Sequence, residues 1–155
     1  MATSSSIRIQ SDGFAALPAN VNLNAAASGT FVATGLALAL PTAGTYLLDA
    51  TVRTVLGTMT TGENGFIVAR LYDVTAAAVI PNSEVLAHQI GVAPGTSPTL
   101  LAWNRTAPIQ VRYTVPGART SRLEAARVTS SGTTDSASVI SDGNGRTTLR
   151  YERVA

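Results

Sequence analysis

The sequence predicts an all-β fold, a sandwich or barrel of antiparallel strands, preceded by a short irregular N-terminal arm. Three observations predict it. The dominant hydrophobic period is two rather than 3.6. Turn signals recur at intervals of about 10–20 residues, which suits a sandwich or barrel better than βαβ units. No segment carries a sustained amphipathic-helix pattern.

The elements follow in chain order. Residues 1–18 form the arm, because "MATSSS" is small and polar and offers no apolar face to a core. Residues 19–155 form a single domain. "FVATGLALAL" sets Val32, Leu36, Leu38 and Leu40 on one face and small residues on the other. "TYLLDATVRTVL" puts Tyr46, Leu48, Ala50, Val52 and Leu56 together, opposite Asp49, Thr51 and Arg53. "FIVARLYD" alternates less cleanly and reads as a strand covered on both sides. "TAAAVI" is too short for a helix and runs straight into Pro81. "VLAHQIG" reads as a strand holding the lone histidine, His88, in a partly exposed position.

"PIQVRYTV" is the clearest strand, with Ile109, Val111, Tyr113 and Val115 facing one way and Gln110, Arg112 and Thr114 the other. "TSRLEAARVTS" is the best helical candidate, but it lies between two strong β runs and is assigned to a strand. "RTTLRYERV" closes the chain, with Leu149 and Tyr151 opposite Thr148, Arg150 and Glu152. Turns fall at Pro41 to Gly44, Gly62 to Gly65, Pro81-Asn82, Pro94 to Pro98, Pro116-Gly117 and Asp142 to Gly145.

At 155 residues, one domain buries about 70% of the surface of its unfolded chain and needs no disulfide or metal to fold. With no cysteine, a thiolate nucleophile and a cysteine zinc site are excluded. Charged residues make up 13% of the chain and the net charge is +2. The eleven basic residues are all arginine, scattered without a basic stripe, so nucleic acid is not an expected partner. Arginine suits bidentate pairing at interfaces. "MATSSSIRIQ" lacks the pattern of a secretory signal. "GLALAL" is far shorter than the roughly 20 apolar residues of a membrane helix, so no membrane partner is expected.

Candidate chemistry reads weakly. Asp142-Gly143-Asn144-Gly145 resembles the start of a calcium loop, but no third carboxylate follows and strand residues occupy the distal glutamate position. Asp-Gly and Asn-Gly between apolar runs are hairpin signals, so the stretch is read as a turn before the last strand. His88 has no G-x-S-x-G partner. Glu63, Glu84, Glu124 and Glu152 have no spacing that brings them together as an acid–base pair. Trp103, in "TLLAWNRTAP", suits the core, a subunit contact, or stacking on a sugar ring. "NRT" at Asn104 matches a glycosylation acceptor but lacks the secretory context. No catalytic residue, metal ligand or cofactor is assigned, and the chain is not expected to be an enzyme.

The order of the pieces "GTFVATGLALALPTAGTYLLDATVRTVL", "GFIVARLYDVTAAAVIPNSEVLA", "PIQVRYTVPGARTSRLEAARV" and "SDGNGRTTLRYERV" resembles the tumour-necrosis-factor/complement-globular-head type of jelly roll. The entry Pro41-x-x-Gly-Thr-Tyr46, the strand Ala69 to Asp73 and the closing Tyr151-Glu-Arg-Val are the similar parts. The resemblance covers about residues 15–155, and its motifs are strand rhythm plus a glycine turn. In versions without cysteine and rich in Ala, Thr and Gly, it looks like the virion proteins of tailed bacteriophages. It implies an antiparallel two-sheet jelly-roll sandwich of about eight to ten strands, and a homotrimeric capsid decoration protein that reinforces the outer surface of a phage head. Its partners would be itself and the major capsid protein or another virion protein, at the virion surface after assembly in the host cytoplasm. A head- or tail-fibre tip binding a host receptor or glycan is the alternative. The decoration role implies capsid contacts by Ile7, Arg8, Ile9, Phe14 and Leu17, and a three-fold axis lined by Tyr113 and Tyr151. The fibre role implies a glycan or partner contact at Trp103 near the "VAPGTSPT" loop.

Overall fold

The structure is a computed structural model that describes residues 11–95 and 101–154. These residues form eleven strands and no helix. The strands are β1 (Ser11–Ala16), β2 (Val21–Asn22), β3 (Val32–Leu40), β4 (Gly44–Thr58), β5 (Asn64–Asp73) and β6 (Ala78–Val79). They continue as β7 (Val85–Gly91), β8 (Leu101–Val115), β9 (Arg119–Ser131), β10 (Ser136–Val139) and β11 (Thr148–Arg153).

Two antiparallel sheets face each other. In the first, β4 pairs along its whole length with β8 on one side. On its other side β4 pairs first with β11 and then with β10, which lie end to end. Beyond them lie β1 on β11 and β2 on β10, again end to end. In the second sheet the order is β3-β9-β5, and β5 takes both β7 and the short β6 on its outer side. Counting each interrupted pair once leaves four strands per sheet. Their chain order is first-eighth-third-sixth in one sheet and second-seventh-fourth-fifth in the other, the winding of a jelly roll.

Period-two sequences put their apolar sets between these sheets. Tyr46, Leu48, Ala50, Val52 and Leu56 of β4 are buried, facing Ile67, Ala69 and Leu71 of β5 and Leu123 and Ala125 of β9. The β5 segment alternates cleanly, buried at Ile67, Ala69, Leu71 and Asp73. One departure lies in β3, where the register shifts between Ala33 and Ala37. Gly35 there has a φ of +86°, a value open to glycine at little cost.

Two expectations need correction. The arm ends sooner than residue 18. Residues 11–16 are hydrogen-bonded to β11, and Leu17 is 1% exposed in the core. Alternating burial with β11 ties this segment into the sheet despite its small side chains. The Asp142 turn is a tight reversal, with Asp142 and Gly145 exchanging backbone hydrogen bonds, but it does not join two strands of a hairpin. A hairpin joins strands that pair with each other, whereas β10 and β11 pair in succession with the same side of β4. The turn caps a loop that bulges out of one interrupted strand.

Candidate functional site

The sandwich has two unlike ends. At one end Ser11 pairs with Arg153, and Gly44 pairs with Val115. The chain enters the described fold and leaves it there, beside the tight turns after Leu40 and Val115. At the other end lie the connections that follow β4, β7 and β9, where Thr58 pairs with Leu101.

Along one side of the sandwich, between the edges of β7 and β8, runs a cleft of about 380 Å³ lined by Leu86, His88, Gln89, Arg105, Thr106 and Pro108. A smaller hollow of about 170 Å³ adjoins it toward Ile90 and Trp103. Trp103 and Arg105 share the strand parity of the buried Ala107 and Ile109, so they belong to the inward face of their sheet. They nevertheless remain exposed, Trp103 at 50%. His88 is buried at 3%, rather than partly exposed as its sequence context suggests. A register shift in β7 between the partners of Ile67 and Val68 accompanies this placement. Its Nδ1 lies 3.2 Å from Thr54 Oγ1. Burial, and secondarily the positive charge of Arg105, hold the imidazole below its ordinary pKa.

The predicted contact residues separate. Ile7, Arg8 and Ile9 lie outside the described residues. Phe14 is 66% exposed on the outer face of β1, but Leu17 is core. Neither predicted axis residue faces outward. Tyr151 is 7% exposed and meets Tyr46 edge to face, with ring centroids 5.3 Å apart. Tyr113 is half-buried, and its hydroxyl donates to Asp73 Oδ2 at 2.6 Å across the sandwich. Both rings are engaged inside the subunit.

The carboxylates are dispersed. Glu124 bridges two arginines on the outer face of the second sheet, accepting from Arg70 Nε and Arg122 Nε at 2.9 Å each. Those guanidinium groups lie over Phe31 and Tyr72, at 3.5 and 4.8 Å from the ring centroids. Glu84 reaches only Arg70, at 3.9 Å. Glu63 is buried at the opposite end of the fold from the chain entry, and Thr134 Oγ1 donates to its Oε1 at 2.6 Å. Glu152 lies on the first sheet, 4.0 Å from Arg150. Asp142 is held by Arg53 Nη1 at 2.9 Å and by the Asn144 amide. These contacts, Arg53 foremost, keep the Asp142 carboxyl below the usual range, and Arg53 Nη1 also donates to the Gly145 carbonyl. Among the described residues no three His, Asp or Glu side chains cluster as metal ligands.

The Arg70–Glu124–Arg122 network was legible only in part. Alternation puts Arg122 and Glu124 on one face, but their meeting with Arg70 depends on the β5–β9 register.

No protein-family model matches the chain, and no curated protein matches it. Among solved structures, it is similar to the infectious bursal disease virus, Gx strain. That match has 17% identity and a TM-score of 0.45, covering 94% of this chain and 38% of that one. The VP2 subviral particle of infectious bursal disease virus matches at 17% identity and a TM-score of 0.44, covering 94% of this chain and 37% of that one. The T=1 particles derived from that virus match at 17% and 0.45, covering 94% and 36%. The chain spans little more than a third of the length of these viral capsid proteins.

Proposed function

We propose that this chain is a non-catalytic structural protein of a virion, acting as a homotrimeric decoration protein on the outer surface of a phage head. The observation that carries the reading is the polarity of the sandwich. Residues 1–10 join the fold at Ser11, beside Arg153 at the same end. An attachment segment there would leave the far end and both outer faces free. The jelly-roll winding and the exposed Phe14 on β1 fit that role. Binding a shell through a short segment stabilises both partners by mass action when the unfolded chain does not bind.

The test is removal of residues 1–10. Longer deletions would strip β1 from β11 and confound attachment with folding. Truncated chain is offered to undecorated particles and its occupancy counted. Folded protein with lost occupancy is expected, and full occupancy would overturn the attachment role. Copy number in purified particles checks the location, since hundreds of copies indicate decoration and a few indicate a fibre.

A fibre-tip reading is favoured by one observation, the half-exposed Trp103 on the rim of the β7–β8 cleft beside Arg105. An aromatic face next to a guanidinium suits an acidic sugar. A glycan array run with the native chain and Trp103→Ala separates the two readings.

A further inference from the structure

Among the described residues the first sheet ends in two unpaired edges, β1 continued by β2 on one side and β8 on the other. We infer that these edges join head to tail between copies of this chain, with Asp12 of one subunit opposite Arg112 of the next. The inference rests on the homotrimer reading and supplies an interface for it.

Direction comes first. β1 is antiparallel to β11, β11 to β4, and β4 to β8. Three reversals leave β1 antiparallel to β8, so β8 of a second copy set beside β1 continues the antiparallel alternation.

Height comes next. The register across the sheet aligns Asp12, Glu152, Leu47 and Arg112 in one row. The next row is Phe14, Arg150, Asp49 and Gln110, and the one after is Ala16, Thr148, Thr51 and Pro108. Rotation about an axis along the strands conserves height. It therefore brings Asp12 level with Arg112 of the neighbour, Phe14 with Gln110, and Ala16 with Pro108.

Backbone parity agrees with that register. Pro108 has no N–H, so the Pro108–Thr51 pair is one that does not bond across β8 and β4. Alternation then turns the backbone groups of Gln110, Arg112 and Thr114 to the open edge. On the far side, the Leu17 amide donates to the Thr147 carbonyl. That leaves the groups of Asp12, Phe14 and Ala16 pointing away from β11. The pairs set by height are thus the pairs whose donors and acceptors face each other. Pro108 ends the ladder where β1 itself ends.

Charge fits as well. Asp12 and Arg112 are both exposed, and neither forms an ion pair among the described residues. Across the new strand pair they would sit directly opposite, on the same outer face, where opposite charges attract. The contact uses different patches on the two partners, and such a contact closes into a ring when the rotation permits.

The experiment measures the mass of the full chain by light scattering across a concentration series. Asp12→Arg and Arg112→Asp are made singly and together, with thermal unfolding confirming the fold. Each single reversal is expected to weaken trimer formation by about tenfold or more, and the double reversal to restore it. A trimer that tolerates both single reversals would overturn this interface and leave the homotrimer reading standing. A double variant that stays dissociated would overturn the Asp12–Arg112 pairing. A native chain that is monomeric throughout would overturn both the interface and the trimer.

Discussion

The Tyr113 hydroxyl donates to Asp73 Oδ2 at 2.6 Å, and the bond joins the two sheets, since Tyr113 lies on β8 and Asp73 on β5. Asp73 is 1% exposed and also accepts from the Ala76 amide, with Arg119 Nε at 3.8 Å. Burial is the main cause, and the hydrogen bond and charge of Asp73 add to it, so that the phenol is pushed up to about 12 against the opposing Arg119. Tyr113→Phe leaves a buried carboxylate with one donor fewer and should cost about 1.5–3 kcal/mol. Denaturant titration measures it.

The same phenol gives a pH signature. Its pKa is raised in the folded state, so its contribution is complete below the unfolded value near 10 and is lost as pH rises toward 12. Native protein should lose stability across that window more steeply than Tyr113→Phe. Equal slopes would place the hydroxyl outside the bond.

His88 titrates in the opposite sense. Its pKa is depressed by burial and by Arg105, so its contribution is complete above pH 6.5 and is lost as pH falls below that value. Stability measured from pH 7.5 down to 5 should decline less in His88→Gln. Arg105→Gln should move the histidine's NMR midpoint upward toward its ordinary value.

Gly13 is a packing requirement. A Cβ there would meet the Tyr151 ring, the cross-strand partner folded over it. Gly13→Ala should cost about 1–3 kcal/mol, because an inserted methyl displaces a core ring. Tyr151→Leu in the same chain should recover part of that loss if the ring is the obstacle.

β11 sits between β1 and β4 and buries Leu149 and Tyr151. Removing residues 148–155 exposes both side chains' neighbours and unpairs β1, a loss of about 3–6 kcal/mol from the two side chains alone. Cooperative unfolding should disappear. A truncated chain with an unchanged melting temperature would refute the central place of this strand.

The Asp142 turn should ignore calcium, because Arg53 already occupies its carboxylate. Added calcium should leave the melting temperature unchanged, and a rise would point to a ligand role that Arg53 merely occupies.

Alternation by itself determined most of the interior. Side chains two residues apart share a face, so Tyr46 to Leu56, Ile109 to Val115, and Leu149 with Tyr151 declared their partners without any tertiary information. The same rule set Tyr113 with Ile109 and Val111, and Tyr151 with Leu149. The structure keeps both rings inside, whereas the role implied by family resemblance required them to face a neighbouring subunit. What period two cannot carry is register and succession. Whether Asp142 turns a hairpin or caps a bulging loop depends on β10 and β11 sharing one side of β4, a contact set by residues about 90 positions away. Whether Asp12 and Arg112 share a row depends on three strand registers in sequence. Local spacing encodes the face a side chain takes, but only the packed sheets decide which side chains stand opposite each other.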